Sequence, residues 1–320
     1  MTAVQAPEGF HSAVHGAVHA TNGKQGSSPR SRTAPVAFAL EPFSHLTLYT
    51  GNTMRTGTTG LLNTTQKKSN QELVSAVEDT LNYSLETAHI SGTHITIADQ
   101  DARGPLDSDR AKYDITVKLF FLSPAGVSTA LSVQHVDEAL GHLDAVLHAT
   151  DLVIDHFILA IPNQSFDENE LDDAELEAFA QEVQQLYLPV WKRLSDLRTG
   201  GRIGRLGVTE FSKQQLVILK EAALAVGAVA PEIDQVNLHD CCVLPKELIE
   251  YAKAEGIELL THGDTINILP KSTLATLLQP HLPVASELSL SPNFVLKYSA
   301  VLGGRGLITR KGYIVDAVAA

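Results

Sequence analysis

The sequence predicts an α/β fold, a (β/α)8 barrel preceded by a disordered N-terminal tail. Three observations carry that expectation. Short apolar runs bounded by turn residues alternate with stretches of helical period across residues 44–320. One of them, VIDHFILAIP (153–162), is apolar almost throughout, as a parallel strand covered on both faces should be. Polar residues collect just after the strands, where parallel α/β folds build their sites. Eight such units favour closure into a barrel over a doubly wound open sheet.

Residues 1–43 differ from the rest, being rich in Ala, Ser, Thr, Gly and His, and GKQGSSPRSRTAP has no period. They read as a flexible low-complexity tail. His11, His15 and His19 would share a helix face, but little in this segment would hold a helix, so no metal site is expected.

The barrel elements follow in order. HLTLYTG (45–51) is a first strand, and a helix opens at Ser69 with Glu72 completing a capping box. HITIAD (94–99) and YDITVKLFFL (113–122) are the second and third strands, with too few residues between them for a full crossover helix. A helical pattern over Ser128–His148 leads to the fourth strand at Val153–Pro162. The acidic run Asp167–Glu177, including Asp172 and Asp173, opens a helix whose stripe is Leu176, Phe179, Val183, Leu186 and Trp191, bent or divided at Pro189. RIGRLGVTEF (202–211) is the fifth strand, followed by a helix capped by Ser212 and Gln215 and closed by Gly227.

Ile233, Val236 and Leu238 mark the sixth strand. Pro245 opens the next helix, Leu248, Ile249 and Ala252 form its stripe, and Gly256 stops it before a seventh strand at Ile257–Thr261. Residues 265–289 look loose. Val295, Leu296, Val301 and Leu302 suggest a helix after Ser291-Pro292, ending at Gly303-Gly304, and GLITRKGYIV (306–315) is the eighth strand.

Composition narrows the function. Of 320 residues, 44% are apolar, enough for a large core, and 24 Lys and Arg face 37 Asp and Glu, a formal charge of −13. That balance excludes nucleic acid and an anionic membrane surface as partners. The two cysteines, Cys241 and Cys242, are adjacent and poorly placed to bridge each other, which points to a reducing, cytoplasmic setting. No run suits a bilayer span or a secretory signal.

At the predicted strand ends stand Lys118, Ala160, Pro162, Thr209, Glu210, Asn237, His239, Asp240, Cys241, Cys242, His262, Asp264, Arg310 and Lys311. They form no metal-ligand spacing and no glycine-rich phosphate loop. The two thiols read as small packing groups or as a reactive pair.

Taken in order, VKLFFL, DHFILAIP, RIGRLGVTEFSKQQL, IDQVNLHDCCVLPKELIEYAKAEGIELLTHGD and LKYSAVLGGRGLITRKGYI resemble the aldo-keto reductase barrel. The resemblance implies a site built from Tyr, Lys, Asp and His. Lys118 falls at the family's lysine, but Ala160 stands where its histidine would be. Asp109 and Tyr113 are the near match for its Asp–Tyr pair, too close to Lys118. Gln235 matches a nicotinamide-contacting position, whereas Thr209 and Glu210 replace the family's Ser-Asn pair. The family continues past its eighth strand into a cofactor-holding helix, while this chain reaches Ala320, so a C-terminally shortened barrel without catalytic residues, cofactor or metal is implied.

LYTGNTMRTG, DQVNLHDCCVLP, LLTHGD and RGLITRKGYI narrow the resemblance to the glutamate–cysteine ligase regulatory (modifier) subunit family. It implies a non-catalytic chain that binds the ligase's catalytic subunit as a heterodimer, improves glutamate use and relieves feedback inhibition by glutathione. Cys241, Cys242, Asp172, Asp173, Arg310 and Lys311 are then candidate partner or redox contacts, and Lys118 and Gln235 are vestiges. The alternative is an NADP-dependent reductase with a divergent site, using Lys118 with Tyr113 or His239 as proton donor.

Overall fold

The computed structural model describes residues 43–54, 69–102, 104–106, 109–123, 131–166, 171–238, 244–282 and 289–319. The tail with its three histidines, and His239, Asp240, Cys241 and Cys242, lie outside these residues.

Ten strands form one sheet: β1 (His45–Tyr49), β2 (His89–Ser91), β3 (His94–Ala98), β4 (Tyr113–Phe121), β5 (Ile154–Ala160), β6 (Ile203–Thr209), β7 (Ile233–Val236), β8 (Glu258–Thr261), β9 (Leu290–Leu302) and β10 (Leu307–Ala319). Their order is β2-β3-β1-β10-β9-β4-β5-β6-β7-β8. From β4 to β8 every ladder is parallel, and helices α2 (Val133–Leu147), α3 (Asp173–Glu182), α4 (Leu188–Thr199), α5 (Lys213–Ala225) and α6 (Lys246–Glu255) supply the crossovers. β1 is parallel to β3, so the α/β fold is rich in parallel pairing as expected. Among the described residues no ladder joins β8 to β2.

The last third differs from the sequence reading. Residues after Ser291 form the long strand β9, not a helix. Phe294, Leu296, Tyr298 and Ala300 face one core cluster and Val295 the other, a period of two that suits Val, Phe and Tyr in a strand buried on both faces. β10, the expected eighth parallel strand, instead runs antiparallel between β9 and β1. The stretch expected to be loose holds helix α7 (Lys271–Leu278).

Other local readings agree. Ser212 and Gln215 form the capping box of α5, and Gly256 ends α6 with φ 71°. Asp172 caps α3 in a box with Glu175, which accounts for part of the acidic run. A π-helical turn at Val183–Tyr187 separates α3 from α4 just before Pro189, where the helix lacks an N–H. Among the described residues between β3 and β4, Arg110–Lys112 forms a 3-10 turn and no α-helix is present.

One face of the sheet packs against α2, α4, α5 and α6, around Trp191, Phe157 and Phe211. The other packs against α1 (Ser69–Ser84) and α7, around Leu73, Val77, Leu274 and Leu278.

Candidate functional site: a shared carboxylate at the strand ends

β4 alternates, so Val117 and Leu119 enter the first core while Lys118 and Phe120 face the other side. Lys118 lies directly opposite Lys297 of β9 in an antiparallel pair. Two lysines in that position repel. Asp264, just past β8, resolves the conflict: Oδ2 accepts from Lys118 Nζ at 2.7 Å and Oδ1 from Lys297 Nζ at 2.8 Å. Lys118 and Asp264 are both buried. Burial pulls the Lys118 ammonium below its ordinary value, only partly offset by Asp264. Burial works against the Asp264 charge, but His262 and the two lysines hold its carboxyl far below the usual range.

His262 has two options on the same side. Its Nδ1 lies 3.1 Å from the Asp264 backbone N–H, which donates to it, and 3.4 Å from Asp264 Oδ2. Its Nε2 is 2.8 Å from Glu210 Oε1, ion-pair distance but off the line of a hydrogen bond. Burial lowers the imidazole's affinity for a proton, and the Asp264 and Glu210 carboxylates outweigh it, so the net shift is upward.

Glu210 is held at φ 65°, a left-handed conformation that costs a residue with a side chain roughly 1–3 kcal/mol. Its contacts retain it there. Its backbone N–H donates to the Gln235 carbonyl at 2.9 Å, and its Oε2 accepts from Phe166 N at 2.9 Å and Asn237 N at 3.4 Å. Asn237 Nδ2 in turn donates to the Asp264 carbonyl at 2.8 Å. One carboxylate thus ties the ends of β5, β6, β7 and β8. Gly207 lets β6 and β7 approach, since a Cβ there would lie 2.6 Å from the Ile233 carbonyl oxygen.

Lys118, Glu210, His262 and Asp264 line a small cleft with Ala160, Gln164, Thr209, Phe120, Phe121, Ile161, Thr265 and Ile266. Lys118, Ala160, Thr209, Glu210, His262 and Asp264, picked out in the sequence, meet here. Arg310 and Lys311 do not: Arg310 donates to the Gly104 carbonyl, and Lys311 Nζ to Glu72 Oε2 at 2.7 Å. Glu72, read as a capping residue, also accepts from Thr53 and Tyr313. Asp172 and Asp173 are exposed at the start of α3.

Tyr113 cannot serve Lys118 as proton donor. Five residues along a strand put the two side chains on opposite faces, roughly 16 Å apart along the chain, and Tyr113 lies in the other core. The tyrosine the sheet brings nearer is Tyr313, in register with Lys297. Burial, with Glu72 accepting from its hydroxyl at 3.1 Å, drives its pKa well above the ordinary tyrosine value.

A second polar cluster sits on the other face. Asp316 Oδ2 lies 2.5 Å from His45 Nε2 and accepts from Thr47 Oγ1 at 3.2 Å, and Oδ1 accepts from Asn293 Nδ2 at 2.8 Å. His45 stacks on His94 with ring centroids 4.0 Å apart, and the Tyr49 hydroxyl is 2.7 Å from His142 Nδ1 on α2. Among the described residues no group of three or more His, Cys, Asp or Glu is placed to hold a metal, and no helix is long and apolar enough to cross a membrane.

No family model matches the chain. Partial likenesses to solved structures include Gox0644 in its apo form (19% identity, 43% of this chain and 41% of that one, TM-score 0.28) and an aldo/keto reductase from Brucella melitensis (17%, 44% and 44%, TM-score 0.26). A Schizosaccharomyces pombe protein that carries the name glutamate–cysteine ligase regulatory subunit in provisional form is 27% identical over 290 residues, 85% of this chain and 96% of that protein. The Homo sapiens glutamate–cysteine ligase regulatory subunit is 29% identical over 212 residues, 65% of this chain and 68% of that protein. Its Bos taurus counterpart is 30% identical over the same length and shares. With that identity across more than two thirds of the bovine protein, the chain belongs to the glutamate–cysteine ligase regulatory subunit family.

Proposed function

We propose that this chain is a non-catalytic subunit that binds the catalytic subunit of glutamate–cysteine ligase as a heterodimer. It improves glutamate use and relieves feedback inhibition by glutathione. The observation that carries this reading is the state of Lys118. Its ammonium is bound to the buried Asp264 carboxylate, with Ala160 beside it on the neighbouring strand and no tyrosine among the described residues that line the cleft. A carbonyl reduction needs a donor to protonate the developing oxyanion, and an ammonium spent on a buried carboxylate beside an alanine is poorly suited to that task. Nicotinamide does not fit these residues either. Glu210 offers a carboxylate at the expected amide position, and its oxygens already serve Phe166, Asn237 and His262.

The mechanism is linkage. A subunit that prefers the glutamate-competent state of its partner shifts that partner's population toward it. Titrating the purified chain into the catalytic subunit should lower the glutamate KM and weaken glutathione inhibition. If both constants stay where they were with assembly complete, the reading is wrong. A parallel titration of NADPH fluorescence should show no saturable binding, and saturation would instead favour an oxidoreductase.

A further inference from the structure

From the structure we infer that the stacked pair His45 and His94 makes the β1–β3 junction a proton-sensitive latch, which acid loosens so that the β2–β3 end of the sheet opens locally. The inference goes beyond the regulatory reading and does not depend on it.

His45 and His94 stand directly opposite each other in the parallel β1–β3 pair, and their rings stack with centroids 4.0 Å apart and planes 4° from parallel. One carboxylate serves both rings, unequally. Asp316 lies opposite Thr47 on β10, and its Oδ2 is 2.5 Å from His45 Nε2, so a charge on His45 is met directly. His94 reaches that carboxylate only through a hydroxyl: its Nε2 is 2.9 Å from Thr47 Oγ1. Thr47 has a single hydroxyl proton and donates it to Asp316 Oδ2 at 3.2 Å. His94 Nε2 must therefore be the donor to Thr47 Oγ1, which leaves only its Nδ1 to take a further proton. That proton makes His94 a cation stacked on His45. Charges of one sign directly opposite each other weaken a strand pair.

The other groups around His94 do not cancel this. Glu138 and His142 act on it from α2, and Asp316 from β10. On β2, Ser91 stands opposite it, with His89 two residues further along the same face. Burial and His45 together lower the His94 pKa below the ordinary 6.5, against the pull of Asp316 and Glu138. A chain whose β3 has parted from β1 therefore binds this proton better than the closed one. The pairing is fully held above 6.5 and is lost progressively as pH falls through the closed-state value. The place in the sheet keeps the opening local. β2 and β3 are the last two strands at one end of the strand order, and β1 alone joins them by a ladder to the rest.

The test is hydrogen exchange of the full chain, read by mass spectrometry between about pH 7.5 and pH 5.5 and corrected for the intrinsic pH dependence of exchange. Peptides of β2 and β3 should lose protection several-fold on acidification, with about tenfold per pH unit as the ceiling for one proton. Peptides of β5 and β6 should keep theirs. His94→Gln retains an amide donor for Thr47 and cannot titrate, so its protection should not change across the range. His45→Gln removes the opposed ring and should shrink the loss. An equal loss in β5 and β6 overturns the latch, as does a loss in His94→Gln as large as in the wild type. If His94→Gln is already unprotected at the upper pH, His45→Gln decides: a smaller loss than the wild type supports the latch, and an unchanged loss overturns it.

Discussion

Asp264 and Asp316 are both buried carboxylates fed by histidine, yet they are neutralised in different ways. Asp264 is bound by two lysines, Lys118 and Lys297, with His262 beside it. Among the described residues no lysine or arginine lies within ion-pair distance of Asp316. It relies on a hydroxyl, an amide and the imidazole of His45. The first arrangement fixes the ends of the parallel strands. The second joins β1 to β10 through His45, Thr47 and Asp316. Lysine ammonium groups thus neutralise the carboxylate at the candidate site, and an imidazole, a hydroxyl and an amide surround the one at the junction of distant parts of the chain.

The largest expected effect breaks the first cluster. Asp264→Ala removes the carboxylate that Lys118 and Lys297 share and should cost about 3–5 kcal/mol, measured by urea unfolding. Asp316→Ala should cost less, about 1–3 kcal/mol, because the groups it orphans are mostly neutral. A reversal of that order would mean that the lysine pair contributes little to stability. Thr47→Val, which removes one hydroxyl shared by Asp316 and His94, should cost about 0.5–1.5 kcal/mol.

Acid titration separates the clusters by sign. His262 faces Glu210, Asp264, Lys118 and Lys297, and its folded pKa lies above the ordinary 6.5. The folded state holds its proton more tightly, so its stabilisation is complete below 6.5 and is lost as pH rises through the folded value. His262→Gln should therefore destabilise most at mildly acidic pH. His142 faces Tyr49, Glu138, Asp316, His45 and His94, and burial lowers its pKa despite the two carboxylates. Here the unfolded state binds the proton better, so stability is complete above 6.5 and falls as pH drops through the folded value. His142→Gln should flatten that acid-side loss. Unfolding curves for the two variants between pH 5 and pH 8, each compared with the wild type, should diverge in opposite directions (the chosen range spans about one and a half units either side of 6.5). Parallel curves would sink the comparison.

The parallel half was legible because its signals are local. Capping at Ser212, the stop at Gly256 and the unbroken apolar run of β5 each need only a few neighbouring residues to be read. β9 was not legible as a strand. Ser291-Pro292 and Gly303-Gly304 imitate helix boundaries, and the alternation of Phe294, Leu296 and Tyr298 is masked because both faces are buried and Val295 is apolar too. That misreading hid Lys297. Had NFVLKY been given period two, a lysine facing the same side as Val295 in a buried strand would have demanded a carboxylate partner. Lys118, Glu210, His262 and Asp264 stood out as polar residues after apolar strands, but their meeting depends on sheet order. The sequence carries that order only through contacts between remote segments. The roles of Glu72 and Tyr313 were invisible for the same reason.

The position of β10 also has a consequence for how the chain folds. His45 and Asp316, which it brings together, are 271 residues apart, and β9 and β10 fill the space between β1 and β4. The run from β4 to β8 can consolidate from contacts between successive units, each closing a short loop. β1 and β3 cannot be joined to that run until the hairpin arrives. Closing so long a loop is entropically costly and slow. During synthesis the early strands therefore wait with an unpaired edge while the rest of the protein is made, which exposes them to mispairing and to chaperones.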